Sequence, residues 1–211
     1  AMGSHGGATA EGQRLVLEKL GINEGSLDVA IHAEMSVNRV GQLSNGTEIF
    51  FSKTALSADH IVVINRVKQH TKFQADIESG LCKMLTIGLG KAVGAAEFHR
   101  QAIRNSFSII EDAARVVLQN CSILCGLALV EDGYGDLSLI EALTPERLVA
   151  GEKKLLKEAV FMMGRIPFND IDILVIDQFG KDLSGIGMDS NITGRHRDIV
   201  GDFSMPPHVK R

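Results

Sequence analysis

The stretch DHIVVINRV, residues 59–67, decides the fold class of this chain. Its apolar run is typical of a strand that is buried on both faces in a parallel sheet. A polar loop, KQHTKFQADIES (68–79), follows it, and then an apolar helical pattern, GLCKMLTIGLG (80–90). Strand, loop and helix in this order form the unit from which α/β proteins are built, because parallel strands need a long crossover connection.

The same alternation extends in both directions from this unit. The turn SNG (44–46) lies between two short strand-like segments and predicts a hairpin. Thr9 is a good N-cap for a helix that runs to about Leu20. Further strands are predicted at 27–33, 122–132, 137–143 and 170–180, the last of them buried, and further helices at 93–99, 103–119 and 151–166. We therefore predict an α/β fold with a mostly parallel sheet and flanking helices, Rossmann-like in arrangement.

Composition excludes several classes of function. The net charge is −4 and no basic cluster is present, so we expect no nucleic-acid partner. The longest apolar runs are too short to cross a bilayer, so we expect no membrane association. Three cysteines do not make a disulfide framework, and this balance indicates the reducing cytoplasm.

The segment ESGLCK (78–83) is the most informative local feature. Ser79 and Gly80 stand at a predicted helix start, where free backbone N–H groups bind phosphate or carboxylate, although Ser-Gly is also an ordinary cap. Lys83 follows in an otherwise apolar helix. It is either a lysine that extends its ammonium group to solvent, or a partly desolvated lysine with a lowered pKa and a nucleophilic amine.

Three histidines have two interpretations each. His70 lies in the polar loop after the buried strand, where a site residue and a solvated one are equally common. His99 ends a predicted helical segment, where histidine is favoured by the helix dipole, so a ligand role needs further support. His5 belongs to AMGSHGGATAEG (1–12), which is typical both of a purification-tag remnant and of a glycine-rich turn before a helix.

These residues are joined by a family resemblance. VINRVKQHTKFQADIESGLCKMLTIGLGKAVGAAEFH (63–99) strongly resembles the nickel-dependent lactate racemase family, in a branch whose substrates are mostly unassigned. AMGSHGGATAEGQ (1–13) and DQFGKDLSGIGMDSNITGR (177–195) are similar to segments of the same branch, which favours native sequence at the start of the chain. The resemblance implies a cofactor-binding domain over 1–166, and a second domain or interdomain segment beginning at 167–211. We expect the chain to be part of a longer, two-domain protein.

The resemblance also implies a cofactor and a set of site residues. SGLCK looks like the motif whose lysine tethers a nickel-pincer nucleotide, which places the tether at Lys83; a histidine sixteen residues later, His99, would bind the nickel. His5 and His70 correspond to the two acid/base histidines. Lys181, in GKD, is the candidate for binding the substrate carboxylate. Ser79 and Gly80 would bind the cofactor phosphate.

The implied activity is racemisation or epimerisation at C2 of a 2-hydroxy acid by transient hydride transfer to the tethered nucleotide. LCK replaces the family's Gly-Arg-Lys, and the spacing from His70 to Lys83 is longer than in lactate racemase itself. An alternative is therefore a non-catalytic domain that binds an anion or nucleotide and retains only the fold. An NAD-dependent dehydrogenase ranks lower, because no GxGxxG follows a strand. The sequence names neither the hydroxy acid nor the oligomeric state.

Overall fold

The computed structural model describes residues 3–71, 74–105, 109–180, 187–194 and 207–210. Within these ranges the helices are α1 (Ala10–Lys19), α2 (Glu24–Leu27), α3 (Lys53–Leu56), α4 (Leu81–Lys83), α5 (Lys91–Asn105), α6 (Ile109–Asn120), α7 (Pro145–Met162) and α8 (Ser190–Thr193). A 3-10 turn, Gly6–Ala8, precedes α1, and a π-helical turn, Met84–Gly88, continues α4. The strands are β1 (Val37–Gln42), β2 (Glu48–Ser52), β3 (Ile61–Arg66), β4 (Ile123–Glu131), β5 (Leu137–Leu143), β6 (Asp170–Ile171) and β7 (His208–Val209).

The central sheet has the order β3-β4-β5 and is mixed. β3 and β4 are parallel, as the crossover through α4, α5 and α6 requires, but β5 is antiparallel to β4. The link between β4 and β5 is the short turn 132–136, in which the Asp132 side chain accepts hydrogen bonds from the N–H groups of Tyr134 and Asp136. Because so short a link joins only antiparallel strands, the predicted mostly parallel sheet is wrong, whereas the α/β class is confirmed. The Rossmann-like arrangement stays a prediction.

One predicted strand, 27–33, does not form, and another, 170–180, forms only at its first two residues. Over 27–33 the chain leaves α2 and runs without sheet pairing; the Ile31 N–H is bonded instead to the Glu24 carboxylate at 2.9 Å. In 170–180 only β6 is a strand, and it pairs with β7 over two residues. Most of the rest of this segment is exposed, with Val175 81% accessible. Both predictions rested on apolar composition, which does not supply a neighbouring strand.

The hydrophobic core lies between one face of the central sheet and helices α4, α6 and α7. Val63, Ala128 and Val130 point into it and are buried. Val62 and Ile64 lie on the other face of β3 and are 46% and 56% exposed, so the prediction that this strand is buried on both faces is wrong. Alternating side chains of a strand face opposite sides, and the helices cover one side only.

Several other elements agree with the sequence predictions, although the helix predicted at 93–99 is part of the longer α5. The hairpin of β1 and β2 forms around residues 43–47, and the Thr9 hydroxyl caps α1 by accepting the Gly12 N–H at 3.0 Å. α7 begins at Pro145, earlier than predicted, because proline is suited to the first helical position. Every helix that the structure describes is too short or too polar to cross a membrane. The three cysteines are free thiols.

Candidate functional site

Lys83 lies at the end of α4, on a turn that the sheet and the preceding loop hold in place. The Asn65 side chain on β3 donates to the Gly80 carbonyl at 2.8 Å. The Lys68 N–H donates to the Ser79 carbonyl at 2.8 Å, which closes the base of the loop. Burial lowers the pKa of Lys83, and the positive charge of Lys68 adds to this, while Glu78 opposes it. A lysine in this setting has a larger uncharged fraction and is a better nucleophile than a solvated one.

The helix start at Gly80 already has a hydrogen-bond acceptor from the protein. The Glu152 carboxylate on α7 accepts the Cys82 N–H at 2.7 Å, and its second oxygen is buried without a hydrogen-bond partner. A Cβ at position 80 would overlap this carboxyl group, so a larger residue there would force the Glu152 side chain to move. Burial raises the pKa of Glu152, against the hydrogen bond from Cys82. The predicted phosphate site at Ser79 and Gly80 therefore faces a competing occupant, and phosphate binding there stays a prediction.

The loop that carries His70 is held at both backbone groups of that residue. The Glu78 carboxylate accepts the N–H of His70, and that of Ala75 at 3.1 Å. The Asn191 side chain donates to the His70 carbonyl at 3.3 Å, and the Ser190 hydroxyl donates to the Thr71 carbonyl at 2.6 Å. Burial raises the pKa of Glu78, whereas the His70 and Ala75 N–H groups and the Lys83 charge lower it. Glu78 thus connects the His70 loop to Lys83.

The turn that carries His5 is bonded to the segment that follows Lys83. The Gly3 N–H donates to the Gly88 carbonyl at 3.1 Å. The Gln13 side chain on α1 donates to the Gly3 carbonyl at 3.0 Å and to the His5 carbonyl at 3.4 Å. The Lys91 ammonium donates to the Gln13 side-chain oxygen at 3.0 Å. The opening stretch is therefore part of the fold, which disfavours its interpretation as a tag remnant.

His99 is exposed and lies in the middle of α5, which continues to Asn105. Its neighbour Phe98 is buried in the core and fixes the face of the helix that His99 occupies. The interpretation of His99 as a helix-terminal histidine is wrong, because the helix does not end there. Lys181 lies outside the described residues.

A cleft opens beside the His70 loop. The residues that line it include Gln69, Gln74, Arg165, Asn169 and Asn191. Arg165 is the cation among the described residues of this lining, and Asn191, which donates to the His70 carbonyl, also lines the cleft. Among the described residues, no group of three or more His, Cys, Asp or Glu side chains forms a metal site.

Comparison with known proteins identifies the family of the segment that carries these turns. The family model of the lactate racemase N-terminal domain matches residues 1–109. This chain belongs to the lactate racemase family. The match contains six of the predicted site residues and ends before Lys181; the six are His5, His70, Ser79, Gly80, Lys83 and His99. No protein of curated function matches the chain.

Three residues of this lactate racemase homologue were missed at the sequence level: Gln13, Lys91 and Glu152. Glu152 had a usable signal, because it lies at helical spacing from the apolar residues Leu148 and Leu155 and so falls on the buried face of α7. Gln13 and Lys91 are 78 residues apart in sequence, and no local pattern pairs them.

Proposed function

We propose that this chain is part of a racemase or epimerase that acts at C2 of a 2-hydroxy acid, with a nickel-pincer nucleotide tethered to Lys83. The observation that carries the proposal is the convergence of three turns. Within the matched segment, the Gly3 N–H of the His5 turn is bonded to the Gly88 carbonyl, five residues after Lys83. The His70 N–H is bonded to the Glu78 carboxylate, whose negative charge raises the pKa of Lys83.

The residues present fit this cofactor. The half-buried Lys83 amine, with its lowered pKa, suits formation of a covalent tether. The exposed imidazole of His99 offers a nitrogen ligand of the kind that nickel accepts. When bound, the cofactor supplies the acceptor for the hydrogen at C2 of the substrate.

Residues of the chain itself are proposed to transfer the proton of the substrate hydroxyl. His5 and His70 are proposed to take the proton from the substrate hydroxyl and to return it, one histidine for each enantiomer. An imidazole suits this task because its unperturbed pKa is about 6.5, close to neutral pH. Lys181 is proposed to hold the substrate carboxylate by a charge-assisted hydrogen bond. The free thiols agree with a reducing, cytoplasmic compartment.

The first test is intact-mass measurement of protein made together with the cofactor-synthesis enzymes. We expect added mass and bound nickel in the wild type, and a modified peptide that contains Lys83. Lys83→Ala should remove the added mass completely, whereas Lys53→Ala, at an exposed lysine, should not. Wild-type protein without an adduct or nickel under these conditions would contradict the proposal.

The second test separates loading from turnover. His5→Ala and His70→Ala should keep the adduct on Lys83 and lose stereochemical scrambling of 2-hydroxy acids, because each removes a proton carrier and leaves the tether intact. A general base contributes about 100- to 10,000-fold to rate, so the losses should be of that order. Normal turnover in both variants would show that the acid/base assignment is wrong.

The alternative function, a non-catalytic domain that binds an anion or nucleotide, makes a different prediction. Under this alternative, we expect anion binding in the absence of nickel. We also expect no stereochemical scrambling of any 2-hydroxy acid by the cofactor-loaded protein. The Glu152 carboxyl group accepts the Cys82 N–H at this helix start, so it would compete with an anion there in either function. The racemase is the first proposal because the matched family segment contains the proposed tether, Lys83, and both proposed acid/base histidines, His5 and His70.

A further inference from the structure

Gln13 is an unusual residue for its helix. It is 1% exposed and is the one buried residue of α1, whose other side chains are exposed or half-buried. A glutamine is rarely buried unless its amide is hydrogen-bonded on both sides. Here the amide nitrogen of Gln13 donates to the carbonyls of Gly3 and His5, and the amide oxygen accepts a hydrogen bond from the Lys91 ammonium group.

Lys91 determines which way the Gln13 amide points. A lysine side chain offers only donors, so its contact at 3.0 Å must be to the amide oxygen. The amide nitrogen is then directed at the two carbonyls of the His5 turn. Lys91 is 3% exposed, and in the part of the chain that the structure describes Gln13 is its sole hydrogen-bond partner.

The backbone conformation at position 91 is unfavourable for lysine. It is the first residue of α5 and has a φ of +52°, in the left-handed region that disfavours side chains with a Cβ. Glycine would relieve this backbone conformation, but it would also remove the donor to Gln13. Lys91 lies midway along the chain between Lys83 and His99. Its hydrogen bond to Gln13 therefore positions the His5 turn relative to the segment that carries both residues.

We propose that Gln13 and Lys91 are positioning residues that hold the His5 turn against the segment carrying Lys83 and His99. This inference rests on the proposed function, since it gives the pair the task of placing a proton carrier beside the tethered cofactor. The pair does not touch the reacting atoms. It acts through the backbone of His5, at the carbonyl that Gln13 binds.

Gln13→Glu is the most selective variant. Glutamate has the same shape and still accepts from Lys91, but its carboxylate has no donor for the carbonyls of Gly3 and His5. Lys91→Met complements it by removing the donor while keeping the length of the side chain. Gln42→Glu is the matched control, because Gln42 is an exposed glutamine that also donates to a backbone carbonyl, that of Gly46 at 3.0 Å.

Hydrogen exchange gives a readout that is independent of activity. In both variants the peptide covering residues 3–12 should exchange about tenfold faster, which corresponds to the loss of about one hydrogen bond. The peptide covering β3 should be unchanged, and Gln42→Glu should leave residues 3–12 unchanged. Lys91→Arg, which restores a donor, should recover part of the protection. Unchanged exchange in Gln13→Glu and Lys91→Met would overturn the proposed clamp.

Kinetics on cofactor-loaded protein then test positioning. Both variants should keep the Lys83 adduct and lower kcat by about tenfold or more, with a shifted pH profile, because a displaced imidazole no longer exchanges its proton at the substrate hydroxyl. An unchanged kcat and pH profile would leave the pair with a structural role only and overturn the inference. Wild-type protein without adduct or turnover would overturn the proposed function and the inference with it. Wild-type activity with unaffected variants would overturn the inference alone.

Discussion

The His5 turn and the His70 loop are held in opposite ways. The His5 turn is bound at its carbonyl groups by the neutral amide of Gln13, which a buried lysine orients. The His70 loop is bound at its N–H groups by the Glu78 carboxylate, and Asn191 adds a bond to the His70 carbonyl. Both histidines thus have an anchored backbone, but only one anchor is a carboxylate.

The difference predicts unequal responses to mutation and to pH. Hydrogen bonds to a charged group are stronger than those between neutral groups, so the His70 loop should lose more when its anchor is removed. The same carboxylate makes that loop sensitive to acid and base. The His5 turn depends instead on the close approach of Gly6 to Gly12 and on the orientation of the Gln13 side-chain amide.

The largest effect is expected for Glu78→Ala. It leaves the N–H groups of His70 and Ala75 without their acceptor, in a region where the Glu78 side chain is 4% exposed. The free energy of unfolding should fall by about 3 kcal/mol, as for two hydrogen bonds to a charged group. Urea denaturation of the wild type and the variant measures this difference in the free energy of unfolding. Glu131→Ala, which removes a surface ion pair with Arg66, should cost less than about 1 kcal/mol. Equal losses in the two variants would contradict the charged anchor.

The next effect concerns the His5 turn. A Cβ on Gly12 would overlap the Gly6 carbonyl, so Gly12→Ala must push the turn away from α1. Overpacking of this kind costs about 1–3 kcal/mol, which exceeds the gain of about 1 kcal/mol from placing alanine in a helix. We expect a net loss in thermal stability and faster exchange over residues 3–8. Gly25→Ala, in α2, meets only the tip of the Asn23 side chain and should be close to neutral. A stabilised Gly12→Ala protein would show that the approach is looser than described.

A smaller effect is expected for Asn191→Ala. The variant removes one neutral hydrogen bond to the His70 carbonyl and leaves the bond from Ser190 to Thr71 in place. The free energy of unfolding should fall by about 1 kcal/mol, and residues 68–79 should exchange faster. Asn120→Ala removes a similar bond to the Val116 carbonyl at an exposed helix end and should cost less. Unchanged exchange over 68–79 would mean that Asn191 does not anchor the loop.

The smallest effect is a change in the pH dependence of stability. The pKa of Glu78 is raised by burial above its ordinary value of 4.5, so the fold favours the protonated acid. This contribution to stability is present below pH 4.5 and is lost as the pH rises through the folded pKa. Glu78→Gln should reduce the loss of stability with rising pH. The loss that persists in the variant is expected from Glu152, whose pKa is also raised by burial. Denaturation across this pH range measures both slopes. An identical slope in the variant would exclude Glu78 as the titrating group.

Local patterns predicted the elements that depend on neighbours in sequence. The cap at Thr9, the hairpin around 44–46 and the apolar faces of α6 and α7 follow from hydrogen bonds and spacings within a few residues. The predictions failed over 27–33 and over 172–180, where an apolar segment has no strand beside it in the described structure. Pairing is a long-range property, and composition alone does not reveal it.

The same division runs through the site. The sequence by itself determined the family and nominated His5, His70, Lys83 and His99 as candidate site residues, because the resemblance that carries them is long and continuous. Only the tertiary structure decided what holds them: Gln13 and Lys91 at one turn, Glu78 and Asn191 at another. Glu152, beneath Gly80, completes this set. A motif specifies side-chain chemistry along the chain, but a buried polar group must find its partner across the fold, wherever packing removes both from water.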